Sequence, residues 1–114
     1  MSDDYQRLSF RVEYPPLARP GLVTDGGTVP VMDCSETGLR FLALPGQLPE
    51  QGAVIIGKVQ FHNAGEVAVE GLVTRVQDGT VALRLEDPGI PFGVILSEQQ
   101  FLRRRFPMRK TMLD

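Results

Sequence analysis

The stretch VPVMDCSETGLRFLA, residues 29–43, carries a hydrophobic pattern that decides the fold. Apolar residues alternate with other residues on both sides of the polar centre DCSETG, with Val29 and Val31 before it and Leu39 and Phe41 after it. Such alternation with a period of two is typical of β-strands that bury one face. Asp, Ser and Gly in the centre favour a turn. The stretch therefore predicts two strands joined by a turn.

Further turn signals divide the rest of the chain into strand-length segments. Asp25-Gly26-Gly27, His62-Asn63-Ala64-Gly65 and Asp78-Gly79 are typical of the turns that connect antiparallel strands. Around them we expect an edge strand over residues 17–24, strands over 53–61 and 66–76, and a strand of clean alternation over 81–85. With the two strands of the opening stretch, this gives about six short strands.

Two of these strands contain irregularities. Prolines at positions 15, 16 and 20 remove backbone donors, which favours an irregular entry to the 17–24 edge strand and argues against a helix there. In the strand over 66–76, the apolar positions change parity between Val69 and Leu72. A β-bulge at Gly71 would reconcile the two halves.

The sequence pattern near the end of the chain predicts a helix. Asp87-Pro88-Gly89 ends the strands, and residues 94–106 follow an amphipathic helical pattern, with Ser97 able to cap it if residues 94–96 form a loop. Six antiparallel strands can remove their exposed edges by closing into a small barrel. The predicted fold is an all-β, six-stranded antiparallel barrel in one domain, with a lead-in (1–6), the barrel (7–93), a helix (94–106) over one mouth, and a tail (107–114).

Two polar motifs have the chemistry of an anion and base site. They are Arg7-x-x-x-Arg11 and Asp33-x-Ser35-x-x-Gly38. Arginine donates in a bidentate manner to phosphate oxygens or to the O6/N7 edge of guanine. An Asp carboxylate accepts from the N1 and N2 donors of guanine, a Ser hydroxyl donates or accepts, and glycine permits close backbone approach. Together the motifs could hold a guanine nucleotide.

This pair of motifs, in this order and separation, resembles the signature of the PilZ domain, a bacterial receptor for the second messenger cyclic di-GMP. The resemblance implies a six-stranded antiparallel barrel. It also implies that Arg7 and Arg11 contact phosphate and guanine, that Asp33 and Ser35 bond the guanine edge, and that Gly38 admits the ligand close to the backbone.

The same resemblance implies a role in signalling. PilZ receptors change conformation on binding and signal to a protein partner, for example in motility or biofilm control, and they take one cyclic di-GMP or a stacked pair. The resemblance implies a receptor that needs no cofactor and has no enzymatic activity. Arg75 lies in a region from which some PilZ domains use a polar or aromatic residue against the ligand.

The composition limits the other classes of function. The chain has 114 residues, 42% of them hydrophobic, and a net charge of −2, which predicts one compact domain without generic attraction to nucleic acids or membranes. Cys34 is the single cysteine, which agrees with a reducing compartment, and the acidic N-terminus does not resemble a signal peptide. No apolar run approaches the roughly 20 residues that span a bilayer. We therefore expect a cytoplasmic protein that is not inserted in a membrane.

Other residues have simpler interpretations. The chain contains no C-x-x-C pair, H-E-x-x-H motif or phosphate-binding G-x-x-x-x-G-K-[ST] loop, so neither a metal site nor catalysis is expected. His62 is interpreted as a solvated turn residue, and Cys34 as a structural residue pointing away from the motif face. The basic run 103–105 suits a helix C-terminus. With Arg109 and Lys110 it could form a basic tail for an acidic partner.

Two alternative functions remain open at this stage. The first is a PilZ-fold module that binds protein partners in pilus or flagellar regulation without binding a nucleotide. The second is a small oligonucleotide-binding barrel, which would use basic and aromatic surfaces. The absence of Trp and the negative net charge disfavour the second alternative.

Overall fold

The structure, a computed structural model, describes residues 10–107. Its elements in chain order are β1 (Val12–Glu13), a 3₁₀ turn (Pro16–Ala18), β2 (Gly21–Thr24), β3 (Gly27–Cys34), β4 (Gly38–Leu42), β5 (Val54–Gln60), β6 (Glu66–Gln77), β7 (Thr80–Leu85) and the helix α1 (Phe92–Arg105). All strand pairs are antiparallel.

Strands β2 to β7 close into a six-stranded barrel. The order around it is β3, β2, β5, β6, β7 and β4, and the pairing of β4 with β3 completes the ring. Closure leaves these strands without a free edge, as the sequence predicts. Inward-facing residues form the core: Leu22, Val29, Val31, Leu39, Phe41, Val59, Val69, Val73, Val81, Leu83 and Leu85.

The first strand is an addition to the barrel. β1 pairs with the end of β3 through Val12 with Cys34, and β2 pairs with the beginning of β3 through Leu22 with Val29. The expectation of an edge strand over 17–24 was wrong, because β2 pairs with both β3 and β5. The prolines at positions 15, 16 and 20 precede β2, so β2 itself keeps all of its backbone donors. They support a 3₁₀ turn, which tolerates proline in its first positions.

The bulge lies on the predicted strand, but three residues later than expected. Val67, Val69, Gly71 and Val73 keep one inward parity, and the register with β7 shifts between Val73 and Arg75. Gly71 is needed for packing rather than for a bulge, since a Cβ there would lie 3.1 Å from the Leu83 Cβ. At the end of the strand, Asp78 and Gly79 both have positive φ, as the predicted two-residue turn requires.

Helix α1 begins earlier than the sequence pattern indicates. It starts at Phe92 after Pro91, so Ser97 is an interior residue and caps nothing. Proline just before a helix replaces a capping side chain as the start signal. Ile95, Glu98 and Leu102 form its buried face. No helix in residues 10–107 is long and apolar enough to cross a membrane.

Candidate ligand-binding site

The aspartate of the second motif, Asp33, is buried between two arginines. Asp33 lies near the end of β3, where the register with β4 shifts between Val31 and Asp33 and places Asp33 opposite Arg40. Arg11 Nη1 donates to Asp33 Oδ1 at 2.6 Å, while Arg40 reaches Oδ2 through Nε at 2.7 Å and Nη2 at 2.6 Å. The carboxylate is therefore fixed from both sides by charge-assisted hydrogen bonds.

The exposure of these side chains is very unequal. The Asp33 side chain is 3% exposed, whereas those of Arg11 and Arg40 are 44% and 47% exposed. Glu13 also lines the groove beside these residues, so the charges there are two cations and two anions. The hydrogen bond to Asp33 raises the pKa of Arg40, so this guanidinium stays charged. The half-exposed guanidinium groups keep donors available for an anion from solvent.

The rest of the second motif forms a hydrogen-bonded turn between β3 and β4. The Ser35 hydroxyl accepts from the backbone N–H of Gly38 at 3.1 Å and of Thr37 at 3.4 Å, and the Ser35 N–H donates to the Gly38 carbonyl at 2.8 Å. This turn is the one that the residue types predict. Gly38 does not have a positive φ, so the turn does not need its conformational freedom.

Gly38 instead leaves space beside the arginine. A Cβ on Gly38 would lie 3.9 Å from Arg11 Nη2 and 3.6 Å from the Ser35 hydroxyl. Gly38 also lines an open groove of about 310 Å³ with Arg11, Asp33 and Arg40. At Gly38 the groove therefore exposes backbone without a side chain beside Arg11.

A second groove continues from the first along the outer wall of the barrel. It has a volume of about 560 Å³ and shares Arg40, Thr74 and Ala82 with the first groove. Arg75 lines it together with Asp78. Arg75 is exposed, as its outward orientation in the sequence pattern suggests, because the bulge places both Thr74 and Arg75 on the outer face.

The structure thus brings together most of the residues that the motifs single out. Arg11, Asp33 and Gly38 line one groove, Ser35 is buried in the turn beside Gly38, and Arg7 lies outside the described residues. Sequence reasoning missed Arg40. Residues that flank a turn between antiparallel strands face each other, but the register shift decides which pairs meet, and the sequence pattern does not indicate that shift.

A second polar cluster surrounds Glu98 of helix α1, and it shows that the interpretation of His62 was wrong. His62 was expected to be a solvated turn residue, but its ring stacks on Phe101 with a centroid distance of 3.9 Å, and its Nδ1 lies 2.9 Å from Glu98 Oε1. Its backbone N–H donates to Glu98 Oε2 at 2.9 Å. An isolated histidine in a turn gave no indication of a buried glutamate many residues later in the chain.

The cysteine also belongs to this cluster. The Tyr14 hydroxyl donates to Glu98 Oε1 at 2.7 Å and lies 3.8 Å from Cys34 Sγ. Burial raises the pKa of the Cys34 thiol to about 12, and burial also raises the pKa of Tyr14. Cys34 is fully buried, so it is a structural residue as the sequence indicates. Within residues 10–107, no group of acidic, histidine and cysteine side chains could hold a metal ion.

Comparison with known proteins identifies the fold. No family model and no curated protein sequence matches the chain. Among solved structures, the PilZ domain of Escherichia coli YcgR, determined with c-di-GMP, aligns with a TM-score of 0.66 at 19% identity and covers 84% of this chain and 93% of its own. An uncharacterized Legionella protein aligns with a TM-score of 0.54 at 19% identity, over 89% and 98% of the two chains.

A third match has a longer chain. The Bacillus subtilis inhibitor of motility MotI aligns with a TM-score of 0.55 at 13% identity, over 83% of this chain but 48% of its own. At such low identities the comparisons define the fold alone. The chain has the PilZ fold, a closed six-stranded antiparallel barrel with one additional strand and a C-terminal helix.

Proposed function

We propose that this protein is a receptor for cyclic di-GMP that has no catalytic activity of its own. The observation that carries the proposal is the Arg11–Asp33–Arg40 arrangement beside an open groove. The groove offers guanidinium groups for phosphate and a carboxylate for the donor edge of a guanine. The YcgR PilZ domain, which has the same fold, was solved with c-di-GMP.

The carboxylate of Asp33 would exchange one partner for another when the ligand binds. The N1–H and N2–H groups of guanine are parallel donors, like the donors of the Arg11 guanidinium that now bonds Oδ1. A guanine edge can therefore replace Arg11 at Oδ1 while Arg40 continues to hold Oδ2. Arg11 is then free to donate to a phosphate or to the O6/N7 edge of guanine.

The remaining motif residues would complete the contacts. Ser35 keeps its own hydroxyl proton to donate, because its oxygen only accepts in the turn. Gly38 would allow a base or ribose to lie against the backbone between the arginines. Arg7 would supply a further guanidinium from the chain before β1. The second groove, with Arg75, offers room for a larger ligand such as a stacked pair.

The position of Arg11 suggests how ligand binding could change the conformation of helix α1. Arg11 directly precedes β1, and Tyr14, just after β1, is hydrogen-bonded to Glu98 of helix α1. A ligand that moves Arg11 away from Asp33 would therefore displace the segment around β1, which is hydrogen-bonded to the helix through Tyr14. We propose that this segment and α1 change together and that a protein partner recognises the change, within the cytoplasm.

Isothermal titration with cyclic di-GMP tests the proposal. The intact protein should bind, and Arg11→Ala and Arg40→Ala should each weaken binding by about ten- to a hundred-fold, the range for a lost charge-assisted hydrogen bond. Arg103→Ala is the matched control, because Arg103 is exposed at the end of α1, and it should keep the parent affinity. Equal affinities in all four proteins would place the ligand elsewhere, and no binding would favour the protein-interaction alternative.

A further inference from the structure

Among residues 10–107, no helix covers the mouth of the barrel at the end away from α1, and we call this end the open mouth. Glu98 of helix α1 accepts a hydrogen bond from the backbone of His62 in the β5–β6 turn, so the helix lies at the end of the barrel that contains this turn. The open mouth lies at the opposite end of β5 and β6. The open mouth is formed by the β2–β3 turn, the β4–β5 loop and the β6–β7 turn. The Ala43 N–H donates to the Gly79 carbonyl at 2.9 Å, which joins the loop to the β6–β7 turn.

The open mouth contains a cavity of about 80 Å³ whose lining is mainly apolar, with Thr24 and Gln47 as its polar members. Its apolar lining comes from Val29, Phe41, Ala43, Leu44, Pro49 and Ile55. An apolar cavity of about 150 Å³ accepts benzene, so this cavity has the size for one branched aliphatic group. On the loop and strand beside it, Leu48 is 53% exposed and Leu42 is 38% exposed. Apolar surface therefore extends from the cavity onto its rim.

The charges around the mouth have a single sign. The three connections and the strand ends beside them, residues 24–29, 41–53 and 77–80, contain Asp25, Glu50 and Asp78 and no Lys, Arg or His. Asp78 shares the outer groove with Arg75. Asp25 and Glu50 are exposed, and neither is part of an ion pair with another of the residues 10–107. These two carboxylates are free to attract a cationic partner.

We propose that the open mouth is a docking site for a partner protein, which inserts one aliphatic side chain flanked by lysine or arginine. The cavity would bury the aliphatic group, and Asp25 and Glu50 would pair with its basic neighbours. A nucleotide does not fit this chemistry, because its phosphates would meet carboxylates. The cavity, Asp25 and Glu50 lie outside the two arginine grooves, although Gln77, Asp78 and Thr80 of the mouth also line the second groove. The existence of this surface does not depend on cyclic di-GMP binding.

The test is selection of peptides from a random library displayed on phage, using the intact protein as the target. The recovered peptides should contain a Leu, Ile, Val or Met next to at least one Lys or Arg. Two variants remove the features of the mouth: Leu48→Ser, and the double variant Asp25→Asn with Glu50→Gln. Each should reduce binding of the recovered peptides by about tenfold or more, as the loss of a buried apolar or charged contact would.

Matched controls lie at the other end of the barrel. Leu17→Ser removes a leucine of the 3₁₀ turn that is 91% exposed, and Glu66→Gln removes an exposed carboxylate at the start of β6. Both should leave peptide binding unchanged. The proposal is overturned if no peptides are enriched, if the enriched peptides lack basic residues, or if the mouth variants bind them as the parent does.

A second experiment identifies the occupant. The tail of this chain, residues 107–114, also contains apolar and basic residues, so it is a competing occupant. A synthetic peptide of that sequence should leave the ¹⁵N–¹H spectrum of the mouth residues unchanged, while a selected peptide should shift residues in 24–29, 41–53 and 77–80. Shifts of these residues with the tail peptide would assign the mouth to the chain itself and contradict an external partner.

Discussion

At the scale of single residues, Asp33 connects the stability of the protein with the proposed ligand binding. A buried carboxylate needs compensation, and Asp33 obtains it from two guanidinium groups that remain half exposed. The same carboxylate would accept the donor edge of guanine. An isolated Asp in the same place would be costly to bury, so the arginines hold the site ready before a ligand arrives.

This arrangement changes the expectation for Arg11→Ala. From the sequence, Arg11 precedes the predicted core strands in a polar segment flanked by prolines, so its removal should leave stability almost unchanged. In the structure its removal takes one of two partners from a buried carboxylate, so we expect a loss of about 1 to 3 kcal/mol in the free energy of unfolding. Urea denaturation without ligand measures this loss. Arg103→Ala should match the parent, and an equally stable Arg11→Ala protein would show that Arg40 alone compensates Asp33.

Cys34 makes a separate prediction about pH. Burial raises the pKa of its thiol from 9.0 to about 12, so in that interval the unfolded chain loses a proton that the folded protein keeps. Stability from this group is complete below pH 9 and is lost as the pH rises toward 12, by up to about 1.4 kcal/mol per pH unit. Urea denaturation at neutral pH and at alkaline pH should therefore show a smaller alkaline loss for Cys34→Ala than for the parent. Equal losses in the two proteins would contradict the assignment.

At the scale of elements, helix α1 is fixed by a buried polar residue as well as by apolar packing. Glu98 is fully buried and accepts hydrogen bonds from Tyr14 and from the backbone of His62. These partners come from the segment after β1 and from the β5–β6 turn. The glutamate therefore ties three parts of the chain together at the closed end of the barrel.

Glu98→Ala should loosen this connection. Each buried donor left without an acceptor costs about 1 to 3 kcal/mol, and alanine keeps the helix propensity high, so the loss reports the connection rather than the helix itself. Thermal unfolding measures the loss. Glu98→Gln retains an acceptor and should lose less, and Gln100→Ala, at an exposed position of the same helix, should match the parent. A Glu98→Ala protein as stable as Gln100→Ala would show that apolar contacts alone dock the helix.

At the scale of the whole molecule, the closed barrel depends on the inward parity of its strands. Leu83 is 3% exposed and points inward, while its neighbour Arg84 is exposed. Leu83→Asp would bury an unpaired carboxylate, so we expect an unfolded or aggregated protein. Arg84→Asp should fold. Circular dichroism and thermal melting distinguish the two outcomes, and a Leu83→Asp melt equal to that of Arg84→Asp would contradict the parity of β7.

Most of the barrel could be predicted because its signals are local. The turns at Asp25–Gly27, 62–65 and Asp78–Gly79 need specific backbone angles, and the alternation beside them fixes the buried face. The bulge was predicted at the wrong position because Leu72 is apolar and was taken as an inward residue. The inward residue is Val73, which is 1% exposed. The start of α1 was missed because Pro91 leaves no capping side chain to recognise.

The site was predictable only in part. The motifs indicated Arg11, Asp33 and Gly38, which do line one groove, and Ser35, which is buried in the adjacent turn. Arg40 was missed because its meeting with Asp33 depends on a shift in the β3–β4 register, which no local pattern encodes. The Glu98 connection was missed because it joins parts of the chain that are far apart in sequence.

The central claim, that Asp33 reads a guanine edge, is tested most directly by parallel titrations of the intact protein with cyclic di-GMP and cyclic di-AMP. Adenine has an acceptor at N1, where the Asp33 carboxylate requires a donor, and such a mismatch costs about 1 to 3 kcal/mol. We predict saturable binding of cyclic di-GMP and binding of cyclic di-AMP that is weaker by about ten-fold or more. Comparable dissociation constants for the two ligands, or no binding of cyclic di-GMP, would contradict the claim.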